Sequence, residues 1–192
     1  MAAGDDVTLV RNESMLAAPL EDRGFVELRG PDARALLQGL VSNDVEQLGP
    51  ERAVFTALLT AQGRYLFDFI MIDLGCAILL DCERERAAAL AQRLLLYRLR
   101  AAVEIVDVSD RWSVTALFGA VVDPELPDGK VEVRGDARLV VDPRSAVLGT
   151  RLIAPRGAAI DLGGATTVDP ARFRRHRIAQ GVPCLLYTSR CV

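Results

Sequence analysis

Strand-like and helix-like patterns alternate along residues 24–108 in an order that few folds accommodate. Residues 24–29 alternate apolar and polar side chains, which is typical of a half-buried strand. Gly30-Pro31-Asp32 then opens a short helix, since proline and an early aspartate both suit a helix start. Further strands are predicted over 53–60, 65–73, 76–81 and 102–108, and a helix over 83–97. The order β-α-β-β-(β)-α-β predicts an α+β fold, with a split βαβ (ferredoxin-like) sheet and helices on one face.

The pattern changes after residue 109, where turns and short strands replace the alternation of strands and helices. Strands are predicted over 112–118, 138–141 and 149–154, and a helix over 170–180. We therefore predict an N-terminal tail over 1–19, a first subdomain over 20–109, and an incomplete second α+β subdomain over 110–183.

Composition excludes several classes of function. The net charge of −3 and the pI near 5.3 do not suggest a polyanion-binding protein. No apolar run approaches the roughly 20 residues of a membrane span, and residues 1–13 lack a signal core. We expect a cytoplasmic protein without a membrane partner.

The four cysteines form no CxxC pair, so no metal site is predicted, and Cys76 is expected to be a buried thiol. The single histidine, His176, is expected to be solvated.

The last nine residues, 184–192, continue none of these patterns. Residues 184–189 (CLLYTS) can be read back into a nucleotide sequence that resembles the transposon-end adapter of sequencing libraries. We therefore expect a non-native, adapter-derived tail that follows a native sequence ending near Pro183. The alternative is a genuine short strand.

Three segments carry a family resemblance: residues 30–44 (GPDARALLQGLVSND), 58–68 (LLTAQGRYLFD) and 96–103 (LYRLRAAV). In this order and spacing they resemble the amino-terminal part of the YgfZ family, folate-binding proteins related to the glycine-cleavage T-protein. Residues 142–144 (DPR), 148–151 (LGTR) and 177–183 (RIAQGVP) extend the resemblance, which covers about 20–183. It implies the folate-binding fold of the aminomethyltransferases.

The resemblance also implies a function. YgfZ-like proteins are tetrahydrofolate-dependent accessory factors for the assembly or repair of iron–sulfur (4Fe-4S) proteins, so folate and iron–sulfur client or assembly proteins are the expected partners. The family's Lys-Gly-Cys-Tyr-x-Gly-Gln-Glu motif lies downstream of the matched segments and is absent here. We expect a fragment without classical enzyme activity. A T-protein enzyme has an Asp-Asp pair where this chain has Phe67-Asp68, and phenylalanine cannot transfer protons.

Asp68 leads the candidate folate-binding residues. It shares a predicted strand face with Leu66 and Ile70, where a carboxylate needs a partner. That partner is either the amino groups of a pterin or an arginine such as Arg64 or Arg100. Both arginines could instead anchor the glutamate tail of a folate, since guanidinium groups bind carboxylates bidentately, or lie exposed on the surface.

The other candidates lie in the family-like segments. Gln38, Asn43 and Asp44 either line the folate pocket or only cap and shape the loop after the first helix. Phe173 matches a position where an aromatic side chain is proposed to flank the folate and could stack on a ring. Arg23 matches a second such position but departs from the aromatic pattern.

Two rival functions stay open. The first is a folate-dependent enzyme of the aminomethyltransferase type, against which Phe67 argues. The second is a tRNA-modification factor acting through the basic cluster over 172–177. Those basic residues spread around the predicted helix instead of forming one stripe, so a solvated helix is the simpler interpretation.

Overall fold

A computed structural model describes residues 15–119 and 126–182 of the chain. The tail predicted over 184–192 lies outside these intervals, as do residues 1–14 of the predicted N-terminal tail. The elements in the described intervals are, in chain order, β1 (Leu16–Pro19), β2 (Arg23–Arg29), α1 (Ala33–Gln38), β3 (Val54–Leu59), β4 (Tyr65–Asp73), β5 (Ile78–Glu83), α2 (Ala87–Arg98), β6 (Glu104–Asp107), β7 (Trp112–Phe118), β8 (Val131–Arg134), β9 (Ala137–Val141), β10 (Thr150–Pro155), β11 (Thr166–Thr167) and α3 (Pro170–Ala179).

The first sheet has five strands in the order β3-β4-β5-β2-β6, and neighbouring strands are antiparallel. β5 and β6 run in the same direction with β2 between them, and α2 connects them. This is the predicted split βαβ unit, and the predicted α+β class is confirmed. The β3-β4-β5 meander has one strand more than a ferredoxin-like sheet, so the connection through α1 passes over two strands.

The second sheet has six strands in the order β11-β1-β7-β10-β9-β8. β1 pairs antiparallel with β7 and parallel with β11. It lies within residues 1–19, for which the sequence predicted a tail. Ala17 and Ala18 are fully buried on opposite faces, so this strand has no alternation of apolar and polar residues to reveal it.

The five-stranded sheet is buried on both faces. One face packs against the helices, where Leu37 of α1 and Leu90 and Leu94 of α2 meet the sheet core. The other face packs against the six-stranded sheet, where Phe25 and Ile153 belong to one apolar cluster. The two sheets and the helices therefore form three layers, and any polar group between the sheets requires a partner.

Several predicted boundaries agree with the structure and some features do not. β4 and β7 have the predicted bounds, whereas α2 begins at Ala87 because Arg84–Arg86 form a 3₁₀ turn. The prediction of a buried Cys76 was wrong: Cys76 is exposed two residues before β5, and among the described residues Cys82 is the buried thiol. None of the helices in the described intervals combines the length and apolar character that a membrane crossing requires.

Candidate functional site between the two sheets

Five charged side chains form a continuous ion-pair chain between the two sheets. Asp81 accepts hydrogen bonds from Arg23 Nε at 2.7 Å and from an Arg151 terminal nitrogen at 2.7 Å. Arg151 Nε also donates to Asp142 at 3.0 Å. Arg144 closes the chain with two bonds to the Asp142 carboxylate, at 2.8 and 2.6 Å. The order Arg23–Asp81–Arg151–Asp142–Arg144 alternates positive and negative charges.

Strand register places these groups opposite one another. Asp81 on β5 pairs with Phe25 on one side and Ile70 on the other, both of which face the six-stranded sheet. Arg151 is the second residue of β10, and Asp142 follows the end of β9. The Asp81 and Asp142 side chains are at most 1% exposed, so their charges depend on the arginines and not on water.

The ion pairs shift the pKa values of two members of the ion-pair chain, Asp142 and Arg23. Burial alone would raise the pKa of Asp142, but the charge of Arg151 and the hydrogen bonds from Arg144 outweigh it. The pKa of Asp142 therefore lies well below its usual range. Burial alone would lower the pKa of Arg23, yet the charge of Asp81 and its hydrogen bond hold that pKa above its usual range. Both shifts favour the charged forms of Asp142 and Arg23 at neutral pH.

A second cluster of polar side chains lies near the Arg23 end of the ion-pair chain. The Tyr65 hydroxyl donates a hydrogen bond to Asp68 at 3.0 Å, and the charge of Asp68 contributes to the raised pKa of Arg23. Burial raises the pKa of Tyr65 and also that of Glu83, which pairs with Arg23 in the strand register. Two half-buried carboxylates, a phenol and one end of the ion-pair chain therefore lie close together.

The structure gives Asp68 a partner other than the two that the sequence suggested. Tyr65 is its hydrogen-bond donor in the described part of the chain, and neither Arg64 nor Arg100 forms an ion pair there. Arg64 lies exposed in the turn between β3 and β4, and Arg100 lies exposed in the turn after α2.

Gln38, Asn43 and Asp44 come together in the loop after α1. The Gln38 side chain accepts from the Val45 backbone N–H at 2.6 Å and donates to Asp44 at 3.2 Å. Asn43 donates to the Phe55 carbonyl at 2.9 Å and so holds the loop against β3. All three side chains have structural partners, and all three residues are exposed.

Phe173 and His176 lie on α3, which packs beside the six-stranded sheet. The Phe173 ring is buried and meets Phe118 edge-on, with ring centroids 5.2 Å apart. His176 is half-buried and contacts the Val147 carbonyl at 3.0 Å through Nε2. Arg172, Arg174 and Arg175 of the basic cluster are exposed on the same helix.

Sequence reasoning missed the ion-pair chain as a unit. Asp81, Asp142 and Arg151 each interrupt or end an apolar strand. A charge inside an apolar strand signals a buried partner, but the pattern does not say which residue that partner is.

The two stacked sheets and the split βαβ unit define the α+β class to which the glycine-cleavage aminomethyltransferases belong. The crystal structure of the glycine cleavage system aminomethyltransferase T from Bartonella henselae has the same fold, with a TM-score of 0.73 at 16% identity. The superposition covers 89% of this chain and 52% of that one. Residues 2–123 match the family described as the GCVT N-terminal domain, and the chain belongs to this family.

Its curated relatives include iron–sulfur cluster assembly factors. One is the mitochondrial factor IBA57 of Mus musculus, 31% identical over an alignment of 187 positions, which covers 85% of this chain and 50% of the relative. Another is the mitochondrial IBA57 homolog of Mycosarcoma maydis, 30% identical over 86% of this chain and 43% of the relative. The chain thus spans about half the length of these relatives.

Proposed function

We propose that this chain is part of a YgfZ-like, tetrahydrofolate-binding accessory protein for the assembly or repair of iron–sulfur proteins. Sequence similarity to iron–sulfur cluster assembly factors along 85% of the chain supports the role in assembly. The observation that carries the proposal is the environment of Phe67 and Asp68. Phe67 is buried toward the helices with the Arg86 guanidinium 4.4 Å from its ring centre. Asp68 instead accepts a hydrogen bond from Tyr65, close to the Arg23 end of the ion-pair chain.

That environment does not support an aminomethyltransferase. In the enzymes that the chain resembles, the first residue of the acidic pair is the catalytic one, and here its counterpart is a core phenylalanine. A buried aromatic ring offers no site for proton transfer. An assay for methylenetetrahydrofolate formation is expected to detect no turnover.

The residues around Asp68 fit a folate. Tyr65 supplies the hydrogen bond that Asp68 Oδ1 accepts, and carboxylate oxygens have several lone pairs, so Asp68 retains acceptor capacity for the amino groups of a pterin. The exposed guanidinium group of Arg64, in the turn that leads into β4, suits a carboxylate of the glutamate tail. Arg100 lies at the other end of the sheet, next to the turn that packs on Gly30, so it does not line the same site. A bound tetrahydrofolate would supply a carrier for one-carbon units.

The fit of the other predicted residues is weaker. Phe173 lies against Phe118 in the core and presents no free face for stacking on a pterin. Gln38, Asn43 and Asp44 keep a role in the proposal as the polar loop beside β3, where Asn43 holds the loop against the Phe55 carbonyl.

Cytoplasmic location and a role in tRNA modification stay predictions from the sequence, and the names of the two relatives include the word mitochondrial.

Titration calorimetry with tetrahydrofolate tests the proposal. We expect saturable binding to the full chain, and Asp68→Asn is expected to weaken it about tenfold because a charged hydrogen-bond acceptor is lost. Asp136→Asn, in an exposed turn between β8 and β9, is the matched control and should bind like the wild type. Absence of binding heat from the folded chain would contradict the proposal, and unchanged affinity of Asp68→Asn would remove Asp68 from the site.

A further inference from the structure

The last turn of α2 and the turn after it expose a group of large apolar side chains. In α2 the core-facing stripe is Ala87, Leu90, Ala91 and Leu94. The side chains that follow leave this stripe. The exposed group, named the α2 patch, consists of Leu95, Leu96, Tyr97 and Leu99, with Leu96 68% and Leu99 85% exposed. Leu96 and Leu99, the two most exposed members, are three residues apart, the spacing at which side chains at a helix end are neighbours. Exposed apolar side chains that lie together mark an interaction site.

Leu99 occupies a backbone conformation that favours glycine. Its φ of 46° and ψ of −106° place it at the second position of a type II′ turn, closed by a hydrogen bond from Ala101 N–H to the Arg98 carbonyl at 2.8 Å. Among the described residues, Leu99 is the one non-glycine residue with a positive φ. A branched side chain there costs stability and gains no burial in return.

The rest of the chain holds this turn in place. The Ala102 backbone N–H, just beyond the turn, donates to the Asp32 carboxylate at 2.7 Å. Gly30 packs so closely that a side-chain carbon there would lie 2.1 Å from the Ala102 carbonyl oxygen. The turn therefore presents Leu99 to solvent in a fixed position, and local folding gives no reason for a leucine at this point.

A positive rim surrounds the α2 patch. The Arg93 guanidinium lies 5.8 Å from the Tyr97 ring centre, and Arg98 donates to the Val103 carbonyl at 3.3 Å. Arg100 lies exposed next to Leu99. Across residues 15–119 and 126–182, none of these three arginines has an acidic partner within ion-pair distance. The rim thus carries three arginines without an ion-pair partner among the described residues, and the nearby Asp32 carboxylate is engaged by the Ala102 N–H.

We propose that the α2 patch docks an acidic, amphipathic segment of a partner protein, whose apolar side chains meet Leu96 and Leu99 and whose carboxylates meet the arginine rim. This surface is separate from the polar group around Asp68, and the inference goes beyond the proposed function.

Charge selects this occupant over two others. A two-fold pairing of two copies of this chain would bring two arginine rims together and repel. An anionic membrane is recognised by clusters of about 4–8 basic residues, more than the three found here.

The test measures binding of a fluorescein-labelled helical peptide of about 16 residues, with leucines on one face and glutamates beside them. Fluorescence anisotropy with the full chain is expected to show saturable binding that weakens as salt rises.

Variants of the α2 patch identify the anchor. Leu99→Gly should weaken binding about fivefold or more, as removal of an apolar anchor does. The same variant should be as stable as the wild type or more stable, because glycine suits the positive φ. Leu96→Ser should also weaken binding. Ile178→Ser, at an apolar position on α3 about as exposed as Leu96, is the control and should bind normally.

Three results would overturn the proposal. The first is no binding of the acidic peptide, or equal binding of a peptide whose glutamates are replaced by glutamines. The second is that the chain sediments with phosphatidylcholine–phosphatidylserine vesicles, that Leu99→Gly abolishes this sedimentation, and that the acidic peptide does not bind. The third is a dimer in sedimentation velocity that Leu99→Gly dissociates, which would make a second copy the occupant.

Discussion

Each aspartate of the ion-pair chain lies between two guanidinium groups. Asp81 is shared by Arg23 and Arg151, and Asp142 is shared by Arg151 and Arg144. Removal of one carboxylate therefore leaves one terminal arginine without a counter-charge and leaves Arg151 with one carboxylate instead of two. Such a loss costs more than the intact ion pair contributes, because the desolvation of the remaining charges is no longer offset.

Asp142→Asn is expected to lower the free energy of unfolding by about 3–5 kcal/mol, the range for breaking a buried ion pair from one side. Urea denaturation followed by circular dichroism measures the change. Asp136→Asn, in an exposed turn, should change the free energy by less than about 0.5 kcal/mol. A loss of similar size in both variants would contradict the importance of the buried chain.

The lowered pKa of Asp142 predicts how stability depends on pH. The folded state binds this proton less readily than the unfolded chain, so stability rises with pH through the interval between the folded pKa and the unfolded value of about 3.9. The contribution of Asp142 is complete above that interval and is lost as pH falls through it. Denaturation curves between about pH 2 and pH 6 should show a steeper loss for the wild type than for Asp142→Asn. Parallel curves would contradict the assignment.

At this scale the sequence reveals which residues need partners but not which partners they find. Asp68, on an apolar strand, was expected to pair with an arginine or a pterin, and in the structure it accepts from Tyr65, three residues away. Arg23 was considered only for its departure from an aromatic pattern, and it ends the ion-pair chain. The partner of Arg151 lies 70 residues away in sequence, at a distance that no local pattern encodes.

At the scale of elements, two glycines with positive φ differ in what surrounds them. Gly149, just before β10, has a φ of 87°, and a side-chain carbon there would lie 2.1 Å from the Leu117 carbonyl oxygen of β7. Gly63, in the turn between β3 and β4, has a φ of 78°, and no atom of the described residues lies within 4 Å of that position.

Gly149→Ala is therefore expected to cost about 3 kcal/mol, because the start of β10 must move away from β7 as well as accept backbone strain. Gly63→Ala should cost about 1 kcal/mol from strain alone. Thermal unfolding of the two variants beside the wild type measures both. Equal losses would show that the approach of β10 to β7 is looser than the structure indicates.

Elements with a strong periodic signal were predicted well. β4 and β7 have their predicted bounds because long runs of apolar residues end at clear turns. β1, β8 and β11 have four residues or fewer and were not predicted, since each depends on neighbouring strands and not on its own sequence. α1 begins at Ala33, two residues after Pro31, and the Asp32 carboxylate accepts from the Ala102 N–H instead of capping the helix.

At the scale of the whole molecule, the chain enters the second sheet before it builds the first. β1 lies in the six-stranded sheet, β2 to β6 form the five-stranded sheet, and β7 returns to lie beside β1. The ion-pair chain and the apolar cluster around Phe25 then join the two sheets. This arrangement predicts that the sheets unfold together, although the sequence suggests a change of subdomain near residue 110.

Phe25→Ala tests that coupling, because Phe25 is on β2 of the first sheet and the single tryptophan, Trp112, is on β7 of the second. Phe25 is fully buried between the sheets, so its truncation should cost about 3–5 kcal/mol. In urea, the fluorescence of Trp112 and the circular dichroism of the helices should shift together to lower denaturant. Leu96→Ser, an exposed position on α2, should leave both transitions in place. If the circular dichroism shifts while the Trp112 transition stays at its wild-type midpoint, the two sheets unfold independently.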